Sequence, residues 1–242
     1  AVTKDSSNPD TPWGIKTDGT LTNLIGEKSA SDGYEVGDIV FSDGSATAYT
    51  SGLTLSGDQK AAAVAVIFYA GSASDTLGEK TLGVGLKNTQ GETTQTLAWA
   101  PQDTTGYTTN FTDIQCTKSE SAPSDGTAYY SYTSSTTTTT YYVTGDFDGS
   151  NNWAKVCDVD TDVYEVVPTD STSGIINKEY VATNYPTFNW VNNYATANSL
   201  TGDYASGWYL PTVAELTMMY REKATVNSAL ESAGGTKIAE AT

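Results

Sequence analysis

Apolar residues recur at two different spacings along this 242-residue chain, and the change from one to the other divides it. From Gly33 to about Trp99 they come in short runs closed by Asp-Gly, Gly-Ser and Gly-Glu turns, which predicts strands. The runs are Asp38 to Phe41, closed by Ser42-Asp43-Gly44-Ser45, then Val64 to Tyr69, Leu82 to Leu86 and Thr96 to Trp99. Ala61 to Ala70 is the longest apolar stretch. At ten residues it predicts a buried strand or the end of a helix entering one, with Gly57 to Ala62 offering that helical turn.

Toward the C-terminus the spacing becomes helical. Thr212 followed three residues later by Glu215 predicts a capping box, and Pro211 stiffens the entry, so a helix is expected to start at Thr212. Val213, Leu216, Met219 and Tyr220 share one face of it, expected to be buried, while Glu215, Arg221, Glu222 and Lys223 lie mostly off that face. A second start at Thr225 places Val226, Leu230 and Ala233 on one stripe, with Gly234 where a left-handed cap belongs. The pair reads as two short helices or one bent helix. Between Tyr185 and Ala195, Phe188, Val191 and Tyr194 or Ala195 are helically spaced, which predicts an amphipathic helix beginning near Pro186. Residues 101–145 lack either period. Their five threonines, Thr136 to Thr140, followed by Tyr141-Tyr142-Val143, favour an edge hairpin or long surface loop over disorder.

Composition narrows the function classes. With 12 basic against 29 acidic residues the formal net charge is −17, which argues against nucleic acid or an anionic membrane face as partner, because either would be repelled. Charged residues are only 17%, with Thr, Ser, Gly, Asn and Tyr abundant, a balance found more in secreted β-rich proteins than in cytosolic enzymes. No apolar run approaches the roughly 18 to 20 residues that span a bilayer, so membrane insertion of this segment is not expected. The N-terminus lacks a signal-like region: either the chain is cytosolic or a signal preceded it, and its polar, Pro-containing start suits a tether following a removed signal. Cys116 and Cys157 read equally as one disulfide or two buried thiols. There is no histidine, which removes Cys/His zinc sites, Ser-His-Asp triads and imidazole bases, so any catalysis would rest on carboxylates, Tyr or Lys.

One segment has metal-ligand spacing. Asp146, Asp148 and Ser150 alternate as the first three oxygen ligands of a calcium loop do, beside Gly149, but Cys157 stands where the twelfth-position Glu would fall. A plain Asp-Gly turn is the competing reading. Calcium is the one cofactor the chain suggests. Asp158, Asp160 and Asp162 are expected to form one solvated strand face.

The run Val36-Gly37-Asp38-Ile39-Val40-Phe41-Ser42-Asp43-Gly44-Ser45, then Ala65 to Tyr69, then Asp148-Gly149-Ser150-Asn151-Asn152-Trp153, a Phe/Trp helix and Gly207-Trp208-Tyr209-Leu210-Pro211-Thr212 with Glu215-Leu216 carry a resemblance. In that order they resemble the C-type-lectin-fold proteins related to the formylglycine-generating enzyme, and most of all the treponeme variable proteins of diversity-generating retroelements. The resemblance implies an α+β fold of short strands with two or three helices. It implies a polar, flexible lead over 1–32 and a single C-type-lectin-like domain over 33–242, with a Thr/Ser/Tyr-rich insertion near 101–145. Trp190, Trp208, Leu210 and Leu216 are then core residues. Family members continue past the Gly-Gly turn into a Trp-Ser-Ser strand that carries the diversified binding face. The chain is therefore expected to stop short of that face, and no binding residue transfers. The late cysteine pair of the formylglycine-generating enzymes has no counterpart after Cys157. The implied function is non-enzymatic binding of a protein or glycan ligand at the cell surface, secreted or lipid-anchored after removal of a signal. The alternatives are a carboxylate-based glycan hydrolase with Tyr-rich sugar-stacking surfaces, or a structural surface module, for which no fixed-period repeat is present.

Overall fold

The computed structural model describes residues 13–15, 21–87, 97–122, 128–134, 136–166 and 174–238. Its first strands are β1 (Trp13–Ile15), β2 (Leu21–Asn23), β3 (Ile39–Phe41), β4 (Ala46–Thr47), β5 (Ala63–Ala70) and β6 (Thr81–Gly85). The later ones are β7 (Cys116–Ser119), β8 (Ala128–Ser134), β9 (Thr137–Gly145), β10 (Tyr164–Val166) and β11 (Ile175–Ile176). Helices α1 (Gly57–Ala62), α2 (Thr105–Thr108), α3 (Asn152–Val159) and α4 (Lys178–Asn184) are followed by α5 (Pro186–Asn192), α6 (Tyr194–Ala197), α7 (Val213–Arg221) and α8 (Lys223–Ala233). The fold is mixed α+β, and all its strand pairings are antiparallel among the described residues. Eight α-helices among the described residues exceed the expected two or three. Most are one or two turns long, set by local caps at Ser56, Thr104 and Asn177 or by Pro186 at the first position, and are too short to show a period.

The chain divides into two compact units: Ala1–Ala73 with Glu79–Asn88 and Glu222–Thr242, and Ser74–Gly78 with Thr89–Arg221. In the first, a four-stranded sheet has the order β4-β3-β5-β6. The alanine run resolves into both of its readings. A Ser56–Gln59 capping box starts α1, which ends at Ala62, and β5 begins at Ala63 and is buried through Phe68. Gly44, at φ +79°, closes the β3–β4 turn, where Phe41 N donates to Ser45 O at 2.8 Å. Residues 25–28 are tied to this sheet: Ile25 N donates to Asp43, Gly26 N to Ser45 Oγ, and Lys28 pairs with the buried Asp38 carboxylate. Helix α8 packs on β5 and β3 through Val226, Leu230 and Ala233, all buried as their spacing predicts. It starts at Lys223, two residues before the expected Thr225. Gly234 takes the left-handed cap at φ +76°, and Gly235 N returns to Leu230 O at 2.7 Å.

The second unit carries the sheet β7-β9-β8. Thr137 to Thr140 of the threonine run lie in β9, the middle strand, which forms a hairpin with the edge strand β8, the edge hairpin that is one of the two expected readings. A core in this unit gathers Phe111, Val156, Cys157, Val163, Val181, Tyr185 and Phe188. The helix expected near Pro186 is broken at Asn193 into α5 and α6; Phe188, Tyr194 and Ala195 are buried and Val191 is half-buried. The strand expected over Thr96 to Trp99 is not present at Leu97–Trp99, whose backbone carbonyls at 97 and 98 accept from the Thr187 hydroxyl instead of a strand partner; Thr96 lies outside the described residues. Asp158, Asp160 and Asp162 do not share a strand face. Asp158 lies in the last turn of α3, Asp162 sits in a 3-10 turn, and Asp160 between them is buried against two tyrosines. Both cysteines are free: Cys116 Sγ donates to Asp146 O at 3.1 Å, and Cys157 is buried in the core. No helix among the described residues is long and apolar enough to cross a membrane.

Helix α7 overturns one expectation. Val213 and Leu216 are exposed, Met219 and Tyr220 half-buried, and the inward face is Ala214, Glu215, Thr217 and Met218. The rotation follows from Glu215, whose capping carboxylate is turned into the protein. Of the expected core residues Trp190 is buried, Trp208 and Leu210 are half-buried and Leu216 is not a core residue. Leu230→Ala should therefore cost about 3 kcal/mol in urea denaturation, whereas Leu216→Ala should cost less than about 1 kcal/mol.

Candidate functional site: an aromatic groove and the carboxylate hub behind it

Gly149 and the Tyr209–Glu215 segment meet at one buried side chain. The Glu215 carboxylate accepts from Thr212 N (2.8 Å), Gly149 N (3.2 Å) and the Tyr209 hydroxyl (2.8 Å), while Glu215 N donates to Thr212 Oγ1 at 3.2 Å. The predicted capping box is thus complete, and its carboxylate also holds a turn 66 residues away in sequence. Gly149 is required there, because a Cβ would lie 2.5 Å from Leu210 O and 2.9 Å from Glu215 Oε2. Burial and the adjacent Glu215 push the Tyr209 phenol well above its ordinary range, so it remains a donor.

The Gly149 turn leads straight into α3, whose Trp153 enters an aromatic cluster with Tyr185 and Phe188 at 5.8 and 5.2 Å between ring centroids. Asp160, just past α3, anchors the cluster from below by accepting from Tyr185 Oη (2.6 Å) and Tyr180 Oη (3.0 Å). Desolvation, followed by the bond to Asp160, raises the Tyr185 phenol far above its ordinary value. Burial likewise pushes the Cys157 thiol from 9.0 up to about 11, which leaves it protonated and unreactive at neutral pH.

On the outer side of this cluster lies an open groove of about 440 Å³. Trp99 meets Phe111, Tyr185 and Phe188 edge-on at 5.4 to 5.9 Å, yet keeps 36% of its surface in solvent. Tyr107 is 61% exposed. It is set by α2, which Thr104 caps and which lies close against Tyr185 because residue 106 is glycine: a Cβ there would fall 2.6 Å from the ring. Asp103, at φ +66°, forms the strained turn before α2. At the rim Gln115 Nε2 donates to Asn110 Oδ1 at 2.5 Å. None of the described lining residues is charged. Residue spacing did not mark this groove; the available signal was three aromatic residues, Trp99, Tyr107 and Phe111, interleaved with amides in an otherwise aperiodic segment.

The candidate calcium residues are neighbours, and they bond chiefly within the turn. Asp148 Oδ1 accepts from Ser150 N and Ser150 Oγ, and Asp146 Oδ1 accepts from Asp148 N and, at 3.5 Å, Lys155 Nζ. Asp146 Oδ2 is buried without a hydrogen-bond partner among the described residues. No group of three or more Cys, Asp or Glu suited to hold a metal ion occurs among the described residues.

Comparison with protein-family models, with curated proteins and with solved structures finds no match to the chain.

Two outcomes follow from the hub and the core. Thr212→Ala should lower stability by about 1 kcal/mol, and Glu215→Ala by about 3 kcal/mol or more, because it leaves two buried backbone donors and the part-buried Tyr209 hydroxyl unpaired; thermal and urea melts measure both. The Cys157 thiol, raised on folding, contributes stability that is complete below pH 9 and is lost as pH rises toward 11, by up to about 3 kcal/mol. Urea denaturation across that interval should show the loss, and Cys157→Ala should remove the part of it that begins near pH 9.

Proposed function

We propose that the chain is a ligand-binding module of C-type-lectin type, non-enzymatic and displayed at the cell surface. The observation that supports binding is the groove, a surface other than the C-terminal face that the resemblance implies: an aromatic pair exposed to solvent while one of its rings is held by three buried ones. Exposed aromatic surface backed by a fixed cluster is costly unless a ligand covers it, and binding sites concentrate such residues. The lectin-type reading is supported by the meeting of its two most specific segments, Asp148–Trp153 and Gly207–Leu216, at the Glu215 carboxylate. Display at the surface rests on the low charged fraction and the Thr, Ser and Tyr content.

The glycan-hydrolase alternative calls for two carboxyl groups roughly 5 to 9 Å apart across a cleft, and the described lining of this groove offers none. Purified chain should bind saturably to members of a displayed peptide library or of a glycan array, more weakly after Tyr107→Ala, and should release no reducing ends from the glycans. Release of reducing ends, or binding indifferent to Tyr107, contradicts the proposal.

A further inference from the structure

We infer that the Trp99–Tyr107 groove is a carbohydrate site that takes neutral sugars, stacking a pyranose ring on the aromatic pair and bonding its hydroxyls to Asn110 and Gln115. This assignment rests on reading the chain as a binding module, and it goes further by naming the ligand class and the residues that select it. A pyranose presents an apolar C–H face and a rim of hydroxyls that both donate and accept. The groove has the matching parts. Trp99 and Tyr107 supply exposed ring surface, Phe111 and Ile114 the apolar wall, and the amide pair the polar edge.

The geometry of that pair matters. One Gln115 N–H is spent on Asn110 Oδ1, and the Asn110 amide donors and the Gln115 side-chain carbonyl acceptor make no other hydrogen bond among the described residues. A donor beside an acceptor suits a sugar hydroxyl, which needs both. The platform is also prepared before binding: the Thr187 hydroxyl bonds the carbonyls of Leu97 and Ala98, and three rings meet the Trp99 indole edge-on. Little side-chain freedom is left to lose at Trp99 when a ligand settles on it.

Charge selects among ligands. The chain carries 29 acidic and 12 basic residues, yet none of the described lining residues is charged. A sialylated or sulfated glycan would meet the repulsion of a net charge of −17 with no cation in the groove to offset it. A basic peptide would find no carboxylate there. The volume, about 440 Å³, lies within the range of about 300–1,000 Å³ usual for small-ligand sites.

The test is a glycan array containing neutral and acidic oligosaccharides, followed by titration calorimetry of the full chain with the strongest neutral binder. Tyr107→Ala and Gln115→Ala change exposed side chains, and circular dichroism checks that each variant is folded. Neutral glycans should bind, Tyr107→Ala should weaken them about tenfold or more, and Gln115→Ala several-fold. Absence of glycan binding, preference for acidic glycans, or neutral-glycan affinity unchanged in Tyr107→Ala overturns the carbohydrate assignment. If only members of the peptide library bind, and Tyr107→Ala weakens them, the carbohydrate assignment falls while the ligand-binding reading stands.

Discussion

A carboxylate removed from water must be satisfied by donors or it destabilises the fold, and in this protein Glu215 turns that requirement into architecture. Its side chain is fully buried and accepts from two backbone amides and a phenol, contributed by the start of its own helix, by Tyr209 and by the Gly149 turn. Each donor would be orphaned without it. The position of the Gly149 turn against the 209–215 segment is therefore constrained by hydrogen-bond satisfaction as well as by packing. A glycine is the one residue small enough to allow that approach.

The groove inherits its geometry from this point. Fixing Gly149 fixes the beginning of α3, and α3 places Trp153 against Tyr185 and Phe188 and delivers Asp160 beneath the tyrosine hydroxyls. Those rings support Trp99 from within. Tyr185 serves twice, since its ring also takes the close packing of Gly106 that sets the helix bearing Tyr107. The exposed aromatic surface is thus the outer end of a continuous packed column. A carboxylate lies at two points along it, Glu215 and Asp160, and each is satisfied by tyrosine hydroxyls together with backbone amides.

Local chemistry was the legible part of the chain. The Thr212–Glu215 capping box, the Gly234 cap, the Val226–Leu230–Ala233 stripe and the apolar β5 all follow from short-range rules, and the structure has each of them. Helix α7 shows where such rules stop. Periodicity assigns a glutamate to the solvent side, so the inward turn of Glu215 rotates the buried face and leaves Val213 and Leu216 outside. The alternating aspartates at 158, 160 and 162 failed similarly, because Asp160 is drawn inward by tyrosines 20 and 25 residues along the chain. The groove was illegible for a different reason. Its rings come from separate segments, around 99–111 and 185–188, and what distinguishes it is exposure of apolar surface, which no buried-face pattern records.

The most direct measure of the central claim is a double-mutant cycle between Tyr209→Phe and Glu215→Gln, followed by urea denaturation. If the buried carboxylate organises the second unit through its donors, the two substitutions should couple by about 1 kcal/mol or more, beyond the scatter of independent sites. Additive effects within about 0.3 kcal/mol would contradict the account and show that the Tyr209 hydroxyl is not held by the Glu215 carboxylate.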